Sequence, residues 1–443
     1  MNRCSEDVSG YRHPAGQADF VPVGELREIQ SARLRELACI AYERVPLYRQ
    51  RMDELGVKPQ DIRTIDDIVK LPMTLKVDLR DTYPAGLFAS PMQDIVRLHA
   101  SSGTTGKPIV IGYTREDVGV WTDGVLRALI AYGMQPGDIL QNSYGYGLFT
   151  GGLGLHYGGE ALGATVIPAS GGNTDRQIML LKDFGVTAMS CTPSYFLHIL
   201  DRAGELGVDL RELPLRMGIF GAEPWTDGMR RRIEEAAGIK AFDIYGLTEI
   251  AGPGVGAECP VQDGLHIFED HFYPEIIDPE TLQPLPDGQE GELVLTTLSK
   301  RGTPMLRYRT RDITSIKAEP CPCGRTIRRI CRISHRSDDM FIIRGVNVFP
   351  SQIETALMAV EGALPHYQII LTRERDLDQI EVCVEVTPDV LSDRVGAFEM
   401  LQNKLARQIE RTIGLRAAVR LVEPHSVARS EGKAKRVLDQ RNM

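Results

Sequence analysis

No apolar run in this sequence approaches the ~20 residues needed to cross a bilayer, so a membrane is not an expected partner. Its opening, Met-Asn-Arg-Cys-Ser-Glu-Asp, lacks the apolar core of a signal peptide, and the expected location is cytoplasmic. There is no basic excess. Lys and Arg total 51 against 60 Asp and Glu, a net charge of -9. A general nucleic-acid binder has a basic footprint, so nucleic acid is not expected as a partner. No internal repeat and no low-complexity tract is present. Two nucleotide fingerprints are also missing. Ser101 stands where a Walker A loop needs Gly, and Pro108 follows Lys107. Gly145-Tyr-Gly147 is followed by Thr150 where a dinucleotide fingerprint needs its third Gly. The eight cysteines do not look like a disulfide framework in a chain this long. Cys39, Cys191 and Cys383 lie in apolar contexts and are expected as buried thiols.

What is present describes an ordinary globular protein, 42% hydrophobic and 25% charged. A length of 443 residues exceeds one ordinary core, so two or three domains are expected. Helical spacing runs over 24–56. A helix is expected over 114–132, with Thr114 as N-cap and Glu116 and Asp117 in its first turn. Short apolar segments near 138–143, 164–168, 188–191 and 216–220 alternate with helical ones at 175–184, 195–206 and 225–237. That alternation predicts α/β layers around a parallel sheet. Strands of another type at 275–278 and 292–297, joined through Pro- and Gly-rich turns, predict a small β unit. A helix from Ser351, capped by Ser351 with Glu354 as box partner, opens a β-α-β-β-α-β-like tail. Its further elements are expected at 368–371, 380–386, 396–412 and 418–422. The expected domains are 1–337, large and α/β with the β unit, and 338–443, a small mobile α+β domain.

Five segments carry polar chemistry. Ser101-Ser-Gly-Thr-Thr-Gly-Lys107 combines glycines that let backbone N–H groups face a polyanion with four hydroxyls and one lysine. Alone, it also fits a solvent-exposed turn. Gly221-Ala-Glu-Pro224 follows a predicted strand, where α/β sheets bind ligands. In Tyr245-Gly-Leu-Thr-Glu249 an aromatic plane, a hydroxyl and a carboxylate suit an aryl ring, a phosphate oxygen and Mg²⁺. In Tyr308-Arg-Thr-Arg-Asp312 the carboxylate suits two ribose hydroxyls, and the arginines suit either the carboxylate or phosphate. Gly432-Lys433 lies on a tail able to reach an anion or simply to fray.

Taken in order, these segments with Arg336-Ser-Asp338 and Gly345 resemble the core motifs of the acyl-adenylate-forming ligase superfamily. The strings Ala-Ser-Ser-Gly-Thr-Thr-Gly-Lys-Pro, Leu-Arg-Tyr-Arg-Thr-Arg-Asp, Arg-Ser-Asp-Asp-Met and Arg-Gly-Val-Asn-Val-Phe-Pro are similar to the phenylacetate–coenzyme A ligase branch. The likeness runs from about residue 20 to the end. It implies ATP-dependent formation of acyl-AMP from an aryl acid, phenylacetate first, followed by transfer to coenzyme A. Another aromatic acid, a carrier-protein thiol as acceptor, or a catalytically silent nucleotide-binding regulator are the alternatives. The resemblance implies that Ser101, Ser102, Gly103, Thr104, Thr105, Gly106 and Lys107 hold the pyrophosphate end of ATP. Gly221, Ala222 and Glu223 line the adenine, Tyr245 beside Gly246 stacks on it, and Asp312 takes the ribose with Arg336 close by. Thr248 and Glu249 bind phosphate and Mg²⁺, and Lys433 bridges carboxylate and α-phosphate. Asp338 corresponds to a hinge, and Gly345, Val346 and Asn347 would face coenzyme A. One departure is His335, where the family usually has Gly. Tyr144, Tyr146 and Phe149, in an aromatic, glycine-rich segment, are candidates for the acid pocket. Many relatives form dimers, so a homodimer is expected.

The remaining cysteines are a separate matter. Cys321-Pro-Cys323-Gly324 is a tight knuckle, and Cys259 and His266 complete a Cys₃His set sufficient for a structural Zn²⁺. Cys331 is a spare candidate. Unligated thiols and a redox pair remain open.

Overall fold

The computed structural model describes residues 14–101, 108–344, 346–374, 377–387, 395–429 and 435–441. In chain order the elements begin with helices α1 (Val23–Arg44), α2 (Pro46–Glu54) and α3 (Lys76–Asp81), strands β1 (Ile95–Ala100) and β2 (Val110–Thr114), and helix α4 (Arg115–Ala131). Then come β3 (Ile139–Asn142), α5 (Gly151–Leu162), β4 (Thr165–Ile167), α6 (Thr174–Asp183), β5 (Ala188–Cys191), α7 (Pro193–Glu205), β6 (Met217–Gly221) and α8 (Asp227–Ala237). The strands β7 (Lys240–Leu247), β8 (Gly252–Ala257), β9 (Leu265–Ile267), β10 (Phe272–Ile277), β11 (Gly291–Thr297), β12 (Tyr308–Thr314) and β13 (Arg329–Ile330) follow. Last are β14 (His335–Arg336), β15 (Phe341–Ile343), β16 (Val346–Val348), α9 (Pro350–Met358), β17 (Ala363–Glu374), β18 (Leu377–Val386), α10 (Val395–Ile413), β19 (Ala418–Val422) and β20 (Val437–Asp439). The mixed α/β class expected from the alternating pattern is the observed one.

The chain divides into two compact units, Met1–Pro168 with Phe242–Arg332, and Ala169–Ala241 with Ile333–Met443. In the first, β1 and β2 form an antiparallel hairpin around the 101–107 loop. The parallel pair β3–β4 is connected through α5. The antiparallel strands β7, β8, β9 and β13 follow one another. The expected β unit is the antiparallel set β10–β11–β12. Helix α4 starts where the sequence predicts: Thr114 Oγ1 accepts from Asp117 N at 3.2 Å, and Asp117 Oδ2 accepts from Thr114 N at 2.8 Å. It packs tightly on β8, because a Cβ on Gly124 would lie 2.4 Å from Gly254 O.

In the second unit β5 and β6 are parallel, and β19, β18, β17 and β20 form a sheet with α9 and α10 contributing to its core. Tyr367, Ile369 and Leu371 alternate on β17, as do Ile380, Val382, Val384 and Val386 on β18. Period-two alternation puts these side chains on one face of the sheet. Leu401, Leu405 and Ile409 on α10 recur every fourth residue and are buried in the same core.

Two local expectations are corrected. The N-cap of α9 is Phe349, with Pro350 in the first helical position, and Phe349 N donates to Gln352 Oε1 at 3.1 Å. Proline has no N–H to leave unpaired at N1 and its φ is preset for helix, so the helix starts before Ser351. Glu354 is buried and accepts from Tyr367 OH at 3.0 Å. Cys39 is exposed on α1, whereas Cys191 and Cys383 are buried. Strand β20, parallel to β17, follows the 430–436 segment, of which 430–434 lie outside the described residues.

Candidate nucleotide and metal sites

Tyr245 near the end of β7 and Asp312 on β12 come together. Tyr245 OH donates to Asp312 Oδ2 at 2.5 Å, and Asp312 is buried with its own N–H on Thr310 Oγ1 at 3.0 Å. The flanking arginines do not hold Asp312, as one of the two expectations had it. Arg309 forms a fork with Glu292, Nη2 to Oε2 at 2.6 Å, and Arg311 Nη1 lies 3.5 Å from the same oxygen. Glu292 is fully buried on β11, so the arginines neutralise a carboxylate inside the β unit.

After β7 the chain turns over Thr248–Ala251 into β8. Gly246 is needed there: a Cβ would fall 1.6 Å from Gly252 O. Glu249 in this turn is buried, with Lys76 Nζ 3.7 Å from its Oε1. Lys300 approaches from the other side. Its Nζ donates to Ile250 O at 2.6 Å and Glu249 O at 3.4 Å. Burial pulls the Lys300 ammonium down to about 7 against the opposing charges of Asp117 and Glu249. Neither lysine was singled out from the sequence. No local pattern marks them, since each matters only through a residue some 50 or more positions away.

Ser101 N donates to Ile109 O at 3.1 Å, closing the base of the loop between β1 and β2. Ser102, Gly103, Thr104, Thr105, Gly106 and Lys107 lie outside the described residues, as do Gly345 and Lys433. In the segment before α5, Tyr146 OH accepts from Asn142 Nδ2 at 2.8 Å and lies 3.2 Å from His156 Nδ1; burial pushes its hydroxyl up to about 12. Phe149 is half exposed at 50%, and Tyr144 N donates to Asn142 Oδ1 at 3.3 Å.

The other predicted residues belong to the second unit. Gly221 ends β6, and Ala222 has φ +69°, a left-handed conformation unusual for a residue with a Cβ. Glu223 Oε1 accepts from Ser194 N at 2.8 Å, at the start of α7. Arg336 pairs with Asp338 through Nε and Nη2 at 2.9 and 3.1 Å. His335, the departure from the family pattern, packs its ring 3.8 Å from that of Phe349. Val346 and Asn347 lie on β16, with Asn347 exposed and paired in register with Ile342.

The structure gathers Cys259, His266, Cys321 and Cys323, with ligand atoms all within 4.8 Å of one another. Cys259 Sγ lies 3.7 Å from Cys321 Sγ, and Cys323 Sγ lies 3.4 Å from His266 Nε2. A tetrahedron with Zn–S of about 2.3 Å and Zn–N of about 2.0 Å has edges of about 3.5–3.8 Å, so the donor set fits zinc. The carbonyl of Ile327 can only accept, so the 3.1 Å contact puts the proton of a neutral His266 on Nδ1 and leaves Nε2 for an ion. The hydrogen bond between Cys259 and Cys323 lowers the Cys323 thiol and raises that of Cys259. The spare candidate, Cys331, stays outside and contacts Ser315 Oγ at 3.3 Å.

An aromatic hydroxyl on a buried aspartate and a turn carrying a hydroxyl and a carboxylate lie in a chain that belongs to the AMP-binding enzymes. Residues 76–299 match the AMP-binding enzyme family, and residues 345–441 match the AMP-binding enzyme C-terminal domain. Within that class the chain belongs to the phenylacetate–coenzyme A ligases. It is 52% identical over 420 residues to the phenylacetate-coenzyme A ligase of Pseudomonas putida, covering 95% of each chain. It is 50% identical over 423 residues to that of Escherichia coli K12, covering 95% of this chain and 96% of the relative. Among solved structures, 2-hydroxyisobutyryl-CoA ligase in the postadenylation state with 2-HIB-AMP is 30% identical. The match covers 98% of this chain and 95% of that one, with a TM-score of 0.91. The same enzyme with 2-HIB-AMP and CoA in the thioesterification state gives 31% identity and a TM-score of 0.72, covering 100% and 96%.

Proposed function

We propose that this chain ligates an aryl acid, phenylacetate first, to coenzyme A through an acyl-adenylate. In the first step a carboxylate oxygen attacks the α-phosphorus of ATP, the bond to the bridging oxygen breaks, and pyrophosphate leaves. In the second, the coenzyme A thiolate attacks the acyl carbonyl carbon and AMP leaves with its phosphate oxygen. Both steps need positioning and charge neutralisation more than covalent help from the protein. Roughly 50% identity along the whole chain to phenylacetate–coenzyme A ligases carries this reading.

The roles rest on the resemblance of the motifs to the family, supported where described by the local geometry. Asp312 takes the ribose hydroxyls, with Tyr245 holding its carboxylate and offering a ring face to the adenine. The 101–107 loop takes the phosphates. Glu249, a buried carboxylate next to Thr248, would hold Mg²⁺, whose charge would offset that of the triphosphate. Gly221, Ala222, Glu223 and Arg336 line the nucleotide, and Tyr144, Tyr146 and Phe149 are the candidates for contact with the acid. Lys433 bridges the acid and the α-phosphate in the first step. Rotation about Asp338 then exchanges Lys433 for the Gly345–Asn347 segment, which faces coenzyme A. A zinc ion held by Cys259, His266, Cys321 and Cys323 staples the loops around β9 and takes no part in the reaction, because four protein ligands leave no open position.

The test is exchange of labelled pyrophosphate into ATP with a panel of aromatic acids, followed by thioester formation with coenzyme A. Exchange is expected to depend on the acid, with phenylacetate among the best. No exchange with any acid would remove the proposal.

A further inference from the structure

In the first unit, the Lys300–Thr303 turn after β11 touches two parts of the proposed nucleotide site at once. On one side Arg301 N and Gly302 N donate to Asp117 Oδ1 and Oδ2 at 2.6 and 2.7 Å, and Asp117 is the box residue that starts α4. Thr303 Oγ1 accepts from Gly112 N at 2.9 Å and donates to Gly112 O at 3.1 Å. Gly112 lies on β2, the strand that leaves the 101–107 loop. The approach is so close that a Cβ on Gly302 would fall 2.5 Å from Gly112 O. On the other side the Lys300 ammonium donates to the carbonyls of Glu249 and Ile250. Tyr113, also on β2, places its ring 4.5 Å from that ammonium and donates its hydroxyl to Thr248 O at 3.4 Å. The carboxylates facing Lys300 are Asp117 and Glu249.

A lysine only 4% exposed is unusual. An apolar side chain would fill the same space without desolvating a charge. What the amine adds is a directed hold, through its N–H donors, on two backbone carbonyls of one turn.

We propose that Lys300 is a positioning residue: it ties the Thr248–Glu249 turn to β2 and α4, and so fixes that turn's place relative to these two elements. Its effect therefore falls on the triphosphate and its magnesium ion, an assignment that rests on the function proposed above. The adenosine end of the nucleotide is held elsewhere, by Tyr245 and Asp312, and does not depend on Lys300.

Calorimetric binding of MgATP and of adenosine to the full chain separates these possibilities. Lys300→Met, of similar length and without a donor, is expected to weaken MgATP about tenfold or more, through the loss of the hydrogen bonds to the Glu249 and Ile250 carbonyls, and to leave adenosine within about twofold. In pyrophosphate exchange the same variant raises KM for MgATP and leaves KM for the acid unchanged. If Lys300→Met does not fold, Lys300→Gln, which keeps a donor, is measured in the same way. Unchanged MgATP affinity would overturn the proposal, and so would equal losses for MgATP and adenosine, the sign of general structural damage. Wild-type protein that binds MgATP but forms no adenylate would sink the functional reading instead, and the affinity comparison would still decide the role of Lys300.

Discussion

Tyr245 and Asp312 are 67 positions apart, yet share one hydrogen bond of 2.5 Å. The chemical type of each was legible locally, as an aromatic before a Gly turn and an aspartate within an arginine-rich strand, and only the resemblance across several motifs gave them a nucleotide as partner. Lys76 and Lys300 were not legible in this way, because a lysine's meaning depends on which carboxylate or carbonyl the fold brings to it. The arginines of the same strand show the converse. Their charge was legible, but their partner was Glu292, a buried acid on the neighbouring strand. Asp312→Ala is expected to raise KM for ATP about 10- to 100-fold, equivalent to about 1.4–2.7 kcal/mol, while KM for the acid stays close to wild type. Steady-state kinetics of adenylation measure this. An unchanged KM for ATP would remove Asp312 from the ribose role.

Elements were more legible than the contacts between them. Thr114 and Asp117 announce α4 through a reciprocal pair of bonds three residues apart, a wholly local signal. At α9 the local signals competed: Ser351 with Glu354 suggested one start, and Pro350 in the first turn decided another. Strand β20 has only three residues, and its pairing with β17 is supplied by the sheet. The cysteine cluster joins a turn after β8, strand β9 and the 321–324 knuckle, so metal there ties segments about 60 residues apart. One zinc per chain is expected by metal analysis of protein purified without added zinc. Cys321→Ser is expected to lose most of that zinc and lower Tm, while adenylation by the folded fraction persists.

A second prediction at this scale concerns acid stability of the second unit. His366 Nε2 donates to Asp201 Oδ2 at 2.8 Å, joining β17 to α7. Burial holds His366 below its ordinary value of 6.5, opposed by the bond to Asp201. Burial pushes Asp201 up, but the His366 bond together with the charges of His366, Arg232 and Arg429 brings it below its ordinary 3.8. Folded protein thus binds fewer protons than unfolded chain at both groups, and their contribution is lost as pH falls, beginning below about 6.5 with His366. Tm should fall from neutral to mildly acidic pH, and His366→Gln should flatten that slope. An unaltered slope in the variant would exclude His366 as a source of it.

At the scale of the whole molecule, the proposed chemistry asks one chain to run two reactions in succession. Lys433 is assigned to the first reaction only. Lys433→Ala is therefore expected to depress acid-dependent pyrophosphate exchange by at least about 100-fold, and to slow thioester formation from preformed acyl-AMP far less. Equal losses in the two half-reactions would remove the rotation about Asp338 from the mechanism.

By itself the sequence determined the α/β class, most of the elements and the chemical types at the proposed nucleotide site and the Cys₃His cluster, because propensity, capping and side-chain identity act over a few residues. Only tertiary structure decided that Tyr245 holds Asp312, that Lys300 holds the Glu249 turn, that Glu292 claims the arginines, and that Cys331 stays out of the Cys₃His set. Those outcomes depend on distances of a few ångströms between residues far apart in the chain, and such distances are set by how sheets and helices pack, which no local pattern encodes.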